Sequence, residues 1–410
     1  MASGCKLAVT KVGKHMKRRM KILLMVALCC VAALCMAGCQ IEVKLPDAIT
    51  MNVNDHIATS AAQGELETTV SFDANTNGAY LSASAADLEA AGFSMGDSLK
   101  LTFGNGFVAD DIPLHTGYYI YTGQTFVNAS SSLSSPVIST SPGDFWHEAG
   151  LNNGDACTIT ISKAGKYAAV EKAFTLKYTD SRQDYSSDVV FANFRMVQVG
   201  NMAPGVLYRS CSPVNNLRGR AAYADGLISE AGVKTVLNLS DSWQDMQGYI
   251  AQSDFSSRYY QDLLNGGSVV SAAMDANYKS PDFMVALGDG LREMMNGEAP
   301  YDVHCTEGKD RTGIACLLLG ALCGATYDEL LQDYMLSYEN YYGVTQDSDP
   351  EIYEVLVDMR FNEMIRYFAG TVGDEIPTAY QLQQGAWNYL LETGLTESEI
   401  SQLQGTLCGW

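Results

Sequence analysis

The sequence predicts two regions of different class: an α/β C-terminal domain, a mostly parallel sheet flanked by helices, preceded by a small all-β N-terminal domain. Three observations carry this. From about residue 49 to 180 the chain is rich in Thr, Ser, Gly and Asn and shows short alternating apolar runs, the period of half-buried strands. From 183 to 410 short apolar runs alternate with stretches of helical spacing, the pattern of a parallel sheet covered by helices. The 410 residues are 47% hydrophobic and 18% charged, which leaves room for a sizeable core and excludes general disorder.

Ahead of both regions, Lys17, Arg18, Arg19 and Lys21 precede an uncharged run from Ile22 to Gly38. A basic segment before such a run reads as a secretory signal, and the run is short for a membrane span of about 20 residues. It ends in Met36-Ala37-Gly38-Cys39, which resembles a bacterial lipobox with Met in place of the usual Leu. Residues 1–38 are therefore expected to be a lipoprotein-type signal peptide, Cys39 the lipidated residue and 39–48 a linker. The resulting protein is exported and held at the extracytoplasmic face of a bacterial membrane. The formal charge is −21, and the first 38 residues carry seven basic and no acidic residues. So acidic a body excludes a general nucleic-acid binder. The five His residues are scattered, so no metal site and no cofactor are expected.

In the N-terminal region Leu99–Phe103, Cys157–Ile161 and Phe174–Leu176 read as strands, and Gly104-Asn105-Gly106 as a tight turn. Ala91-Gly92-Phe93 and Gly96-Asp97 recur 58 residues later as Ala149-Gly150-Leu151 and Gly154-Asp155. Each copy reads as a short helix, a Gly-Asp turn and a strand, so residues 49–180 are expected to form a barrel or sandwich of two related halves. The pattern resembles the β-domain of the SAM hydroxide adenosyltransferases. It contains no catalytic constellation, and a binding or spacer role is expected.

In the C-terminal region Val233–Leu239 and Tyr301–His304 read as strands. Helices are expected at Phe283–Met295, at Thr312–Leu322 closed by Gly324, and at about 327–341, 351–368, 379–393 and 396–407. A ligand then belongs at the C-terminal ends of the strands. There lies His304-Cys305-Thr306-Glu307-Gly308-Lys309-Asp310-Arg311-Thr312-Gly313. A loop that enters a helix N-terminus points backbone N–H groups at an anion. Gly308 permits the tight turn, and Arg311 offers a planar fork for two phosphoryl oxygens. The same positive field favours the thiolate of Cys305, a nucleophile facing a cradled phosphate. Thr306 to Arg311 are the expected phosphate-binding residues, with Lys309 adding a second positive charge. His304 is expected to orient the loop and the Thr312 hydroxyl to hydrogen-bond the sulfur.

This loop, with Asn193-Phe194-Arg195, Leu207-Tyr208-Arg209-Ser210, Gly232–Leu239, Asp333–Ser337, Tyr389 and Gly394-Leu395-Thr396, resembles the bacterial tyrosine phosphatases with an HCxxGKDRTG loop. That group includes dual-specificity and phosphoinositide-active members. The likeness covers roughly 185–410. It departs at Met196–Val199, where the family usually continues Asp-Leu-Gly-Gly, and at Asn238-Leu239-Ser240, where Asp-Leu-Arg is usual. The resemblance implies a cysteine-dependent phosphatase domain over 183–410. Cys305, Arg311 and Asp310 are its catalytic residues, and the substrate is a phosphorylated protein, a phosphoinositide or an inositol phosphate.

Three assignments stay open. The general acid is Asp310, Asp241 or Asp275. Arg195 and Arg209 either touch a second phosphate or form salt bridges. Cys211 either pairs with Cys305 in a protective disulfide or does not. The rival to an enzyme is a catalytically silent phosphate-binding or adhesive lipoprotein, which would be expected to have lost Cys305 or Arg311.

Overall fold

The computed structural model of the protein describes residues 64–117, 123–373 and 375–410. The expected signal peptide, Cys39 and the linker lie outside these residues. Strands β1 (Glu65–Asp73), β2 (Gly78–Leu81), β3 (Ser98–Phe103), β4 (Val108–His115), β5 (Gln124–Asn128), β6 (Val137–Ser141) and β7 (Ala156–Lys163) close into a barrel in the order 1-2-6-5-4-3-7. Inward residues such as Leu99, Leu101, Val127, Ile138 and Ile159 are fully buried and fill it. Helices α1 (Ala85–Ala90) and α2 (Phe145–Glu148) sit at equivalent places in the two halves.

The internal echo is structural. Asp97 accepts from the amide of Ser94 at 2.8 Å, and Asp155 accepts from that of Asn152 at the same distance. Gly96 and Gly154 both take φ +91, a conformation open mainly to glycine. Each donates its N–H to the neighbouring strand, to Leu114 and to Val70 respectively. Strands β3 and β7 pair antiparallel with Leu101 opposite Ile159, two residues related by the 58-residue offset.

The run Phe174–Leu176 is no strand, contrary to expectation. Phe174 ends helix α3 (Ala168–Phe174), because the alanine-rich stretch before it favours a helix and a three-residue alternation is too short to oppose that. The barrel and the region after it fall within one compact unit, Leu66–Trp410, and Ala173 of α3 is buried in the core of the C-terminal region.

That region is a five-stranded sheet in the order β11-β10-β12-β9-β8. Its strands are β8 (Arg195–Met196), β9 (Leu207–Ser210), β10 (Thr235–Asn238), β11 (Val269–Ser271) and β12 (Tyr301–His304). All neighbours run parallel except β8, which is antiparallel to β9. The helices that position the site are α4 (Pro281–Met294), α5 (Asp310–Leu322) and α6 (Tyr327–Tyr342). Helix α5 is buried on nearly every side, so it runs through the core rather than over it. Cys316 and Cys323, on and just after it, are buried thiols. Beyond α6, the expected helix at 351–368 is α7 (Pro350–Leu356), a π-helical stretch (Val357–Asn362) and α8 (Glu363–Ala369). Helices α9 (Ala379–Glu392) and α10 (Glu397–Cys408) close the chain. Among the described residues no helix is long and apolar enough to cross a membrane.

Candidate active site

β12 is central in the sheet, and its C-terminal end delivers Cys305, Thr306, Glu307, Gly308 and Lys309 before α5 begins at Asp310. The Lys309 side chain does not cap that helix, so its first N–H groups remain available to an anion. Gly308 takes φ +66, and a Cβ there would lie 2.2 Å from the carbonyl oxygen of Ser210. Only glycine fits this approach.

The loop is held from behind. Arg209, fully buried, donates through Nη2 to the Gly308 carbonyl at 2.8 Å. Asn193 Nδ2 donates to the Glu307 and Gly308 carbonyls at 3.2 and 3.1 Å, and Tyr341 Oη donates to the Glu307 carbonyl at 2.6 Å. Carbonyls pulled outward leave the amides of the same peptides facing inward. The donors are themselves fixed. Arg195 and Arg209 are cross-strand partners, and they share Asp333, Arg195 Nε with Oδ1 at 2.7 Å and Arg209 Nη1 with Oδ2 at 2.5 Å. Asp333, Ser337 and Tyr341 lie four residues apart, so they form one stripe of α6 facing the loop. Burial raises the Asp333 carboxyl, but the Arg209 and Arg195 guanidiniums outweigh it and hold the group down to about 2. Arg195 and Arg209 therefore form salt bridges behind the loop and do not line the cavity in front of it.

That cavity, about 370 Å³, is lined by Cys305, Thr306, Glu307, Asp310 and Arg311, with Asp275 and Ala276 from the loop after β11. Arg311 donates through Nη1 to the Met274 carbonyl at 3.0 Å and through Nη2 to Thr306 Oγ1 at 3.3 Å. Ala273, beside Met274, takes φ +45, the kind of backbone strain that clusters at working sites. Asp310 and Asp275 both face the cavity. Asp241 instead sits in a buried network, accepting from Asn238 Nδ2 at 3.0 Å and Ser240 Oγ at 2.9 Å.

Several expected contacts differ. The Lys309 ammonium donates to the Tyr342 hydroxyl at 3.0 Å and lies 3.4 Å from Glu307 Oε2 and 3.8 Å from Asp310 Oδ2; it is not among the residues lining the cavity. The Glu307 carboxylate accepts a hydrogen bond from Tyr178. Neither ring nitrogen of His304 has a hydrogen-bond partner among the described residues. Burial pushes its pKa down to about 4, so the imidazole is neutral and acts by packing, edge-on against Tyr260. The Thr312 hydroxyl is also buried without a partner among the described residues, the sulfur included. Cys211 and Cys305 are both free and buried, so no disulfide links them here.

Sequence reasoning missed the pinning roles of Tyr178, Tyr341 and Asp333, and the Met274 carbonyl. Asn193 and Asp333 lay inside stretches that carried the family likeness, without a role attached.

The site is a strand-loop-helix cradle with a cysteine at its start and an arginine at its end. A family model described as "Tyrosine phosphatase family" matches residues 192–409, just over half of the chain, and the protein belongs to that family. A tyrosine-protein phosphatase of Nostoc commune is 34% identical over 107 residues, an alignment that covers 25% of this chain and 36% of the relative.

Proposed function

We propose that the chain hydrolyses phosphomonoesters of the protein-tyrosine phosphatase type through a phosphocysteine intermediate. The observation that carries the reading is that Cys305, Arg311 and Asp310 line one cavity at a helix N-terminus. The Cys305 thiolate attacks phosphorus while Arg311 and the loop amides hold the phosphoryl oxygens. The P–O bond to the leaving group breaks as Asp310 gives its proton to that oxygen. Water, deprotonated by the Asp310 carboxylate, then attacks phosphorus. The S–P bond breaks, the thiolate returns and inorganic phosphate leaves. No step calls on a metal or cofactor. A silent binder would not need a cysteine and an arginine at the two ends of one cradle.

The test is turnover of phosphotyrosyl peptide, phosphoserine peptide, phosphoinositide and inositol phosphate by the wild type and by Cys305→Ser. The serine variant should lose turnover while still binding phosphate. Substantial residual turnover would remove Cys305 from its role. We also propose attachment to the outer face of a bacterial membrane through lipidated Cys39, and Cys39→Ala should release the protein from membrane fractions.

A further inference from the structure

A second cavity, about 330 Å³, meets the phosphate cavity at Ala276 and Asp310, which line both. Five of its walls are aromatic: Phe174, Tyr278, Tyr334, Tyr338 and Tyr342. Lys309, Asp310, Arg360 and Glu363 are its charged lining residues. Lys309 is bonded to Tyr342, and the buried Tyr278 hydroxyl has no partner among the described residues. The five rings give an aromatic or apolar group a matching surface. The π-helical stretch supplies Met359 and Arg360, and the Arg360 guanidinium lies 4.5 Å from the centre of the Phe174 ring. π-Helical turns are frequent at functional sites.

Phe174 and Leu176 do not come from the catalytic sheet or its helices. They sit at and just beyond the end of α3, which the barrel fixes. Tyr167, just before α3, donates its N–H to Gly96 O at 2.7 Å, and Thr116 Oγ1 donates to Glu171 Oε1 at 2.7 Å. Two residues past Leu176, Tyr178 reaches Glu307 in the loop.

We propose that the segment joining the barrel to the catalytic region is a specificity-determining wall of the active site, Phe174 and Leu176 closing a cleft that takes an extended apolar or aromatic group attached to the substrate phosphate. This rests on the phosphatase reading for its substrate, but not for its test. In the full chain carrying Cys305→Ser, the affinities of inorganic phosphate, phenyl phosphate and naphthyl phosphate are measured by calorimetry. Naphthyl phosphate should bind most tightly. Adding Phe174→Ala should weaken it roughly five- to tenfold, the scale of one lost aromatic contact, and leave inorganic phosphate unchanged. Leu176→Ala, at a half-buried position, should act in the same direction, and a circular dichroism melt shows whether each variant is folded. Equal affinity for naphthyl and inorganic phosphate, or a folded Phe174→Ala protein that has lost neither, overturns the wall. The same esters supplied to the Cys305 protein give turnover. Selective binding without turnover would overturn the phosphatase reading and leave the wall standing.

Discussion

The barrel and the catalytic sheet differ in what their side-chain hydrogen bonds hold in place. In the barrel some bonds close their own turn: Asp97 serves Ser94, Asp155 serves Asn152, and Asp87 forms a capping box with Ser84. Others tie distant segments of the barrel, as Gly165 N–H does by donating to Asp97 Oδ1 at 2.7 Å. In the sheet, Arg209 serves Gly308, Asn193 serves Glu307 and Gly308, and Asp333 holds Arg195 and Arg209. These bonds span much of the chain and converge on one loop. The barrel's bonds fix the shape of the barrel, whereas those of the sheet converge on a loop and hold it in place.

The widest effect expected lies on the open side of that loop. Asp310→Asn should slow turnover of an alkyl or tyrosyl phosphate by about 10²–10⁴, the scale of general-acid catalysis, and spare an activated nitrophenyl ester whose leaving group needs no proton. Asp275→Asn is the control. If it shows that selectivity and Asp310→Asn does not, the acid is Asp275.

On the pinned side, Asp333→Asn leaves two buried guanidiniums without a counter-charge, a loss of about 3–5 kcal/mol. Urea denaturation should show the fall in stability, and turnover should fall with it. Because Asp333 is depressed to about 2, its contribution is present above pH 4 and is lost as pH drops through 2. A variant with wild-type stability at pH 7 would mean the long-range bonds do not hold the loop.

Asp302, buried beneath the loop, has the opposite sign. Burial raises its carboxyl to about 8, against the Ser210 hydrogen bond and the Arg209 charge. The folded chain keeps this proton where the unfolded chain has lost it, so its share of stability falls as pH climbs from about 4 to 8. Asp302→Asn should flatten that slope in melts across the range. An unchanged slope would place the proton elsewhere.

The smallest effect belongs to the barrel. Asp155→Ala should cost about 0.5–1.5 kcal/mol, one hydrogen bond, with KM and kcat unchanged on small esters. A kinetic change would erase the contrast between the two regions.

What was legible in the sequence follows the same division. Cys305, Gly308, Asp310 and Arg311 could be read because a loop entering a helix fixes their relations within seven residues. The 58-residue echo foretold the two halves of the barrel for the same reason. The pins could not be read: nothing local in Asn193 says that it will meet a loop more than a hundred residues away, nor in Asp333 that it will hold Arg195 and Arg209 on distant strands. Lys309 was misassigned because spacing places a backbone, not a flexible side chain. Tyr338 and Tyr342 drew its ammonium aside. Phe174 was misread as strand, although the alanines before it carried the helical signal.

The pairing of Leu101 with Ile159 has one more consequence. A strand that lies antiparallel to its own counterpart about a two-fold axis is what a symmetric homodimer builds at its interface. Strands β1 to β3 and β5 to β7 of the barrel are arranged as such a pair in a single chain, with β4 as the strand that has no counterpart. Joining them turns association into an intramolecular event, at an effective concentration set by the connecting loop. Its closure is therefore independent of how dilute the protein is, and α3 leaves the barrel from a fixed place even for a molecule working alone.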